Sequence, residues 1–193
     1  TGRSQACKTG IFDGRKSSKI SGSLPKLSLR PNNGDVAQFM CGIFGMFTKD
    51  PGDIANPEMA EVALRRLRHR GPDSSGLWKE PSRLLGQTRL SIIDLDARAN
   101  PPMRNGANVL VFNGEVYNYQ SLRKALTEKG CQFNTSSDTE VLLNGLIDRD
   151  IGFIDRVEGM FAFAWWDGQK QTLHLARDRF GEKPLYWFFH RGV

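Results

Sequence analysis

The chain predicts an α+β fold in which antiparallel sheets are covered by helices. Two observations carry that reading. Strand-like and helix-like segments come in clusters and do not alternate strictly one for one. An Asp167-Gly168 pair also separates two short apolar runs, the signal of a tight hairpin between antiparallel strands. No internal repeat is present.

Residues 1–39 are rich in Ser, Gly, Lys and Arg, and Pro25 and Pro31 interrupt any periodicity. Such a segment cannot bury enough apolar surface to offset its ordering entropy, so it is expected to be a disordered tail. A transit peptide, a propeptide or a leader read through in frame would each have this composition. Met40 stands where a natural start codon would lie. From Cys41 the character changes. Cys41 to Phe47 reads as a buried strand whose glycines permit close backbone approach. Asn56 and Pro57 form a helix start, a side-chain cap followed by a proline whose missing N–H costs nothing. Met59, Val62, Ala63 and Leu67 recur at helical spacing up to Arg68. Leu84–Leu95 and Val109–Phe112 read as strands, and Asn118–Lys129 as an amphipathic helix ended by Gly130. Ser137 and Glu140 have the spacing of a capping box before Val141, Leu142, Leu143 and Leu146. Met160–Trp166, Thr172–Ala176 and Leu185–Phe189 complete the expected strands.

The net charge of +6 is unevenly spread. The tail holds seven basic residues against two acidic ones, whereas the remaining 154 residues carry 20 against 19. The body is nearly neutral, and a nucleic-acid surface on it is unsupported. Cysteines at 7, 41 and 131 form neither a disulfide framework nor a zinc-ligand spacing, which fits a reducing compartment, the cytoplasm. The longest apolar run, Met160–Trp166, is far short of the ~18–20 residues of a membrane span, so no membrane partner is expected. The chain opens at Thr1 and stops abruptly at Val193, and it is expected to be a fragment of a longer enzyme.

A thiol hydrolase needs a nucleophile, a base, an oxyanion hole and substrate anchors. Cys41 lies between Met40 and Gly42. Removal of Met40 would leave it a free α-amine of pKa ~7.7–8.0, able to act as base for its own thiol. The plain alternative is a small buried apolar residue. Asn113 and Gly114 close an apolar strand. They are either an oxyanion hole of one side-chain amide and one main-chain N–H, or an Asn-Gly hairpin turn. Arg89 interrupts an apolar strand. Its planar fork suits a substrate carboxylate, and a salt bridge to Asp94 or Glu115 suits it equally. Asp138, beside the capping box, either supports the helix start or holds an ammonium group.

Seven blocks in order narrow these alternatives: Met-Cys-Gly-Ile-Phe-Gly (40–45), Arg-His-Arg-Gly-Pro-Asp (68–73), Arg-Leu-Ser-Ile-Ile-Asp-Leu (89–95), Phe-Asn-Gly-Glu-Val-Tyr-Asn (112–118), Ser-Asp-Thr-Glu (137–140), Gly-Met-Phe-Ala-Phe-Ala-Trp-Trp-Asp (159–167) and Ala-Arg-Asp-Arg-Phe-Gly-Glu-Lys-Pro-Leu-Tyr (176–186). Together they resemble the class II, N-terminal-nucleophile glutamine amidotransferases, and within them the glutamine-hydrolysing asparagine synthetases. The resemblance covers essentially all of 41–193. It implies a four-layer αββα sandwich. It further implies Cys41 as nucleophile, Asn113 and the Gly114 N–H as oxyanion hole, and Arg89 on the α-carboxylate of L-glutamine. Glu115 and Asp138 would hold the α-ammonium, with Gly114 also lining the site. No cofactor or metal is implied for glutamine hydrolysis. ATP and Mg²⁺ would serve a C-terminal synthetase domain, absent from this chain and reached by ammonia through a channel, in an enzyme able to form a homodimer. The departure from the family is the segment that precedes Cys41. It leaves open an inactive module, beside an amidotransferase feeding another acceptor, such as a polysaccharide-modifying enzyme. A Cys-His-Asn hydrolase using His69 is the remaining rival.

Overall fold

The computed structural model describes residues 10–12, 40–48, 57–90, 94 and 97–189. Among the described residues, eight strands form two antiparallel sheets. The first sheet has the order β1 (Gly10–Phe12), β8 (Thr172–Arg177), β7 (Gly159–Asp167), β6 (Asn108–Val116), β5 (Met103–Asn105). The second has β2 (Gly42–Phe47) and β3 (Ser74–Glu80) flanking β4 (Arg83–Arg89). Three helices cover them: α1 (Pro57–Leu67), α2 (Tyr119–Glu128) and α3 (Asp138–Arg149), with short 3₁₀ turns at Ala97–Ala99 and Asp150–Arg156.

Alternation along the strands builds the layers, because successive strand side chains point to opposite faces. Val109 and Val111 of β6, with Ala164 and Trp166 of β7, meet Leu85 of β4 and Trp78 of β3 between the two sheets. The other face of the large sheet (Leu110, Phe112, Phe161, Phe163, Trp165) packs on Leu122 and Leu126 of α2 and on Val141, Leu142 and Leu146 of α3. On the small sheet, Leu84 packs with Ala60 of α1 and with Phe44 and Met46 of β2. The stack is α1, small sheet, large sheet, α2 with α3: an αββα sandwich with a double-sheet core.

Most expected elements are present with shifted ends. The Asp167-Gly168 hairpin forms, and Asp167 Oδ1 accepts from Gln169 N (2.9 Å) and Lys170 N (3.0 Å). Ser137 caps α3 by accepting from Glu140 N at 3.2 Å. Glu140 does not complete the box. Its carboxylate accepts from Asn134 N, Thr135 N and Thr135 Oγ1, three donors of the preceding loop that outcompete a single reciprocal bond. The strand expected over Leu84–Leu95 ends at Arg89, and residues 91–93, 95 and 96 lie outside the described residues, as does the Asn56 cap. Leu185–Phe189 forms no strand. Tyr186, Trp187, Phe188 and Phe189 are exposed, and no sheet edge accepts them. The reverse happens in the tail. Disorder was expected throughout it, yet Gly10–Phe12 pairs antiparallel with Leu173–Leu175 along the outer edge of β8. A free edge offers a row of unpaired N–H and C=O groups, and Gly-Ile-Phe has little charge to oppose pairing. The rest of residues 1–39, Cys7 included, lies outside the described residues. Cys131 is a free, partly buried thiol against the helix-side core.

Candidate active site

The inter-sheet space is apolar in its middle and polar at one end, and strand parity decides which residues arrive there. On β4, Leu85, Gln87 and Arg89 share the face that looks toward the large sheet; on β6, Val109, Val111, Asn113 and Glu115 look back. Leu85, Val109 and Val111 fill the middle, and the polar members line a pocket together with Cys41, Gly114 and Asp138. All six residues picked from the sequence therefore sit around one cavity, delivered by the segment before β2, by β4, by β6 and by the start of α3. His69 is exposed and is not among the residues lining it.

Several anchors hold these parts. Gly42 N donates to Thr88 Oγ1 (3.2 Å), and Thr88 Oγ1 donates to Leu67 O at the end of α1 (3.1 Å), tying the start of β2 to β4 and to the helix. The turn after α1 lies directly on Arg89: Pro72 bridges it and Asp73 N donates to Arg89 O at 3.1 Å. A Cβ at Gly71 would come within 2.5 Å of the Arg89 nitrogen, so only glycine lets the turn approach so closely. Arg89 is 9% exposed and directs its fork at Asn100 Oδ1 (3.3 Å) and at the main-chain carbonyl of Asp94. The Asp94 carboxylate accepts from Ser136 N (2.7 Å) and Ser136 Oγ (2.9 Å).

Asn113-Gly114 is not a hairpin turn. It lies within β6, paired with Ala162 and Phe161 of β7. A Cβ at Gly114 would fall 2.2 Å from Met160 O, so the two strands can run this close only with glycine there. The Asn113 side chain is buried, and its Oδ1 has no hydrogen-bond partner among the described residues. Asp138 heads α3, but its carboxylate reaches across to β6 and accepts from Val116 N at 3.0 Å. Burial raises the Asp138 pKa, against the lowering effect of the Val116 and Thr139 donors, and Glu115 adds to the rise.

Burial also raises the Cys41 pKa. The Sγ–H faces Leu90 O at 3.9 Å, and this contact, Gln87 and the Arg89 charge pull the other way more weakly. Cys41 is consequently a thiol near neutral pH and needs a base to become a nucleophile. Two residues that the sequence did not single out share the cavity. Gln87 spans the two sheets. Lys183, only 4% exposed, places Nζ 3.0 Å from Met40 Sδ, and burial lowers its pKa. Parity with Arg89 was the signal available for Gln87; for Lys183 it was membership of the 176–186 block.

A partly buried thiol, a guanidinium, two carboxylates and a strand-borne Asn-Gly thus line one cavity at the polar end of the two sheets. The glutamine amidotransferase domain family matches residues 40–192, and the chain belongs to that family. Its relatives include asparagine synthetase B [glutamine-hydrolyzing] of Escherichia coli, 40% identical over 148 residues covering 76% of this chain and 26% of the relative. Asparagine synthetase [glutamine-hydrolyzing] 3 of Bacillus subtilis is 36% identical over 151 residues, 77% of this chain and 25% of the relative. The chain thus spans about a quarter of the length of these curated relatives. Among solved structures, glutamine phosphoribosylpyrophosphate amidotransferase from B. subtilis aligns with a TM-score of 0.52 at 20% identity, covering 72% of this chain and 37% of that one, which is a likeness of fold.

Proposed function

We propose that this domain hydrolyses L-glutamine to glutamate and ammonia through a thioester on Cys41. The observation that carries the reading is the convergence of Cys41, Arg89, Asn113, Gly114, Glu115 and Asp138 on one cavity. Arg89 takes the substrate α-carboxylate in its fork, and Glu115 with Asp138 takes the α-ammonium. This places the carboxamide carbon at Cys41 Sγ. The α-amine of Cys41, free once residues 1–40 are removed, accepts the thiol proton. The sulfur then bonds to the carboxamide carbon, and the oxyanion that forms is held by the Asn113 amide and the Gly114 N–H. One such donor is typically worth ~3 kcal/mol in the transition state. Collapse breaks the C–N bond, the protonated amine returns its proton to the leaving nitrogen, and ammonia departs. Water, deprotonated by the same amine, attacks the thioester and releases glutamate.

The Cys41 nitrogen is an amide as long as Met40 precedes it, so exposure of Cys41 is the condition for turnover. In the longer enzyme to which this reading assigns the domain, ammonia passes through a channel to a synthetase domain. That domain would use ATP and Mg²⁺ in converting aspartate to asparagine, in a cytoplasmic protein able to dimerise. Relatedness to glutamine-hydrolysing asparagine synthetases supports this assignment. For the membrane, no helix among the described residues is long and apolar enough to cross one.

The test uses two proteins, residues 1–193 and a form initiated at Met40, each measured for intact mass and glutaminase rate. The expected result is a short form that loses its methionine and hydrolyses glutamine, with Cys41→Ala inactive. Turnover by the long form with its tail still attached would overturn the α-amine mechanism.

A further inference from the structure

We propose that Gln87 is a positioning residue for the oxyanion strand, a carboxamide strut that fixes Asn113 and Gly114 against Cys41. The inference rests on the glutaminase reading above. Gln87 sits in the middle of the small sheet, paired with Ile43 of β2 and Gly76 of β3, two residues along β2 from the nucleophile. Its side chain, 4% exposed, leaves that sheet and closes a two-bond ring on the large one. Nε2 donates to Phe112 O at 2.8 Å, and Phe112 N donates to Oε1 at 2.9 Å.

These are the bonds a neighbouring strand would make. β5 pairs with β6 only as far as Met103 with Leu110, so strand pairing on that edge stops two residues before Phe112. A side-chain carboxamide carries one donor and one acceptor at the spacing of a peptide group, and it continues the ladder from another sheet. Phe112 immediately precedes the proposed oxyanion hole. The Asn113 Oδ1 is buried without a partner among the described residues, so no hydrogen bond to that oxygen steadies the side chain. Where the Asn113 side chain starts is set by the β6 backbone, and the Gln87 tether sets that backbone relative to the nucleophile. Misplacement of a catalytic donor by about 1 Å can cost on the order of 10²-fold in rate.

The experiment compares wild type, Gln87→Leu and Gln87→Glu in the form initiated at Met40, which lacks the short edge strand β1 but retains the clustered core residues of the other strands and all three helices. Three readouts are taken: steady-state kinetics, the pH profile of kcat, and hydrogen exchange at Phe112. In Gln87→Leu the new side chain offers no bond. Its kcat is expected to fall about 10–100-fold with KM for glutamine changed less than about threefold, and Phe112 exchange to accelerate. In Gln87→Glu the new carboxylate, when ionised, can accept from Phe112 N but leaves Phe112 O facing a charge. When protonated it regains an O–H donor. The kcat of Gln87→Glu relative to wild type should therefore recover as the pH is lowered, a response a purely structural role would not produce. Unchanged kcat in a folded Gln87→Leu variant, loss confined to KM, or a fall in kcat with Phe112 exchange unchanged, which would assign the effect to the contact of Gln87 with the Cys41 thiol, overturns the proposal. If Gln87→Leu fails to fold, a Gln87→Glu variant whose kcat ratio is flat with pH overturns it equally. A wild type without glutaminase activity would refute the glutaminase reading instead, and the exchange arm would still decide whether Gln87 holds the strand.

Discussion

Replacing Asp178 by Asn probes how the segment after β8 is fastened to the site. The Asp178 carboxylate is buried and receives three main-chain donors: Phe161 N (3.2 Å) and Lys183 N (3.0 Å) on Oδ2, and Glu182 N (2.9 Å) on Oδ1. Burial alone would raise its pKa, but these amides outweigh that cost and hold the carboxyl below the usual range. Asn can keep the oxygen that serves two donors, but it then points its NH₂ at the Glu182 N–H. One charge-assisted bond of about 1.5–3 kcal/mol is lost, and two others drop to neutral strength. The expected destabilisation at pH 7 is about 3 kcal/mol, or a Tm lower by roughly 6–12 °C for a domain of this size. The pH dependence follows from the sign of the shift. A depressed native pKa contributes stability above the unfolded value of about 3.9, and this is lost as the pH falls through the native pKa. The gap between wild type and Asp178→Asn should accordingly narrow below pH 4. Urea unfolding followed by tryptophan fluorescence at pH 7 and near pH 3.5 measures both numbers. A loss under about 0.5 kcal/mol at pH 7, or an equal gap at the two pH values, would refute the electrostatic account.

Two further outcomes are expected. Burial lowers the His174 pKa, with Asp150 and Asp167 opposing and Lys170 assisting, so the folded chain resists protonation there. Stability should decline on acidification from about pH 6.5 downward, and His174→Gln should show a flatter profile over that interval; parallel curves would argue against a neutral buried imidazole. Ser137→Ala removes the cap on Glu140 N and should cost about 1–2 kcal/mol in chemical denaturation, with no change in the slope against urea; a loss under about 0.3 kcal/mol would mean that the Glu140 loop bonds hold the helix start unaided.

Legibility followed the range of the interactions. α1, α2, α3 and the β7–β8 hairpin were readable because their signals (the Ser137 cap, the Asp167 turn, the apolar spacing of Leu122 and Leu126) act within a few residues. β3 was missed because its sequence, Ser-Ser-Gly-Leu-Trp-Lys-Glu, buries only Trp78, and only pairing with β4 makes it a strand. Leu185–Phe189 was misjudged for the converse reason: β propensity without a sheet edge to join leaves the side chains in solvent. The glutamine-site candidates were found by motif resemblance, whereas Gln87 lies just outside the Arg89–Leu95 block and Lys183, inside the 176–186 block, carried no sign of its role.

The sequence by itself determined the α+β class, the αββα arrangement that its ordered motifs imply, the identity of the nucleophile candidate and the residue types around it. Composition, periodicity and the order of motifs are all properties of the chain. Only the tertiary structure decided that Asn113-Gly114 is strand and not turn, because the pairing partner on β7 lies more than forty residues away. It also decided that Arg89 meets the Asp94 main chain, that Asp138 reaches Val116, and that Gln87 joins the sheets. Each of those contacts depends on which face of a pleat a side chain occupies and on how two sheets are stacked. Local sequence cannot set either, because both are fixed when the apolar faces of distant strands are buried together.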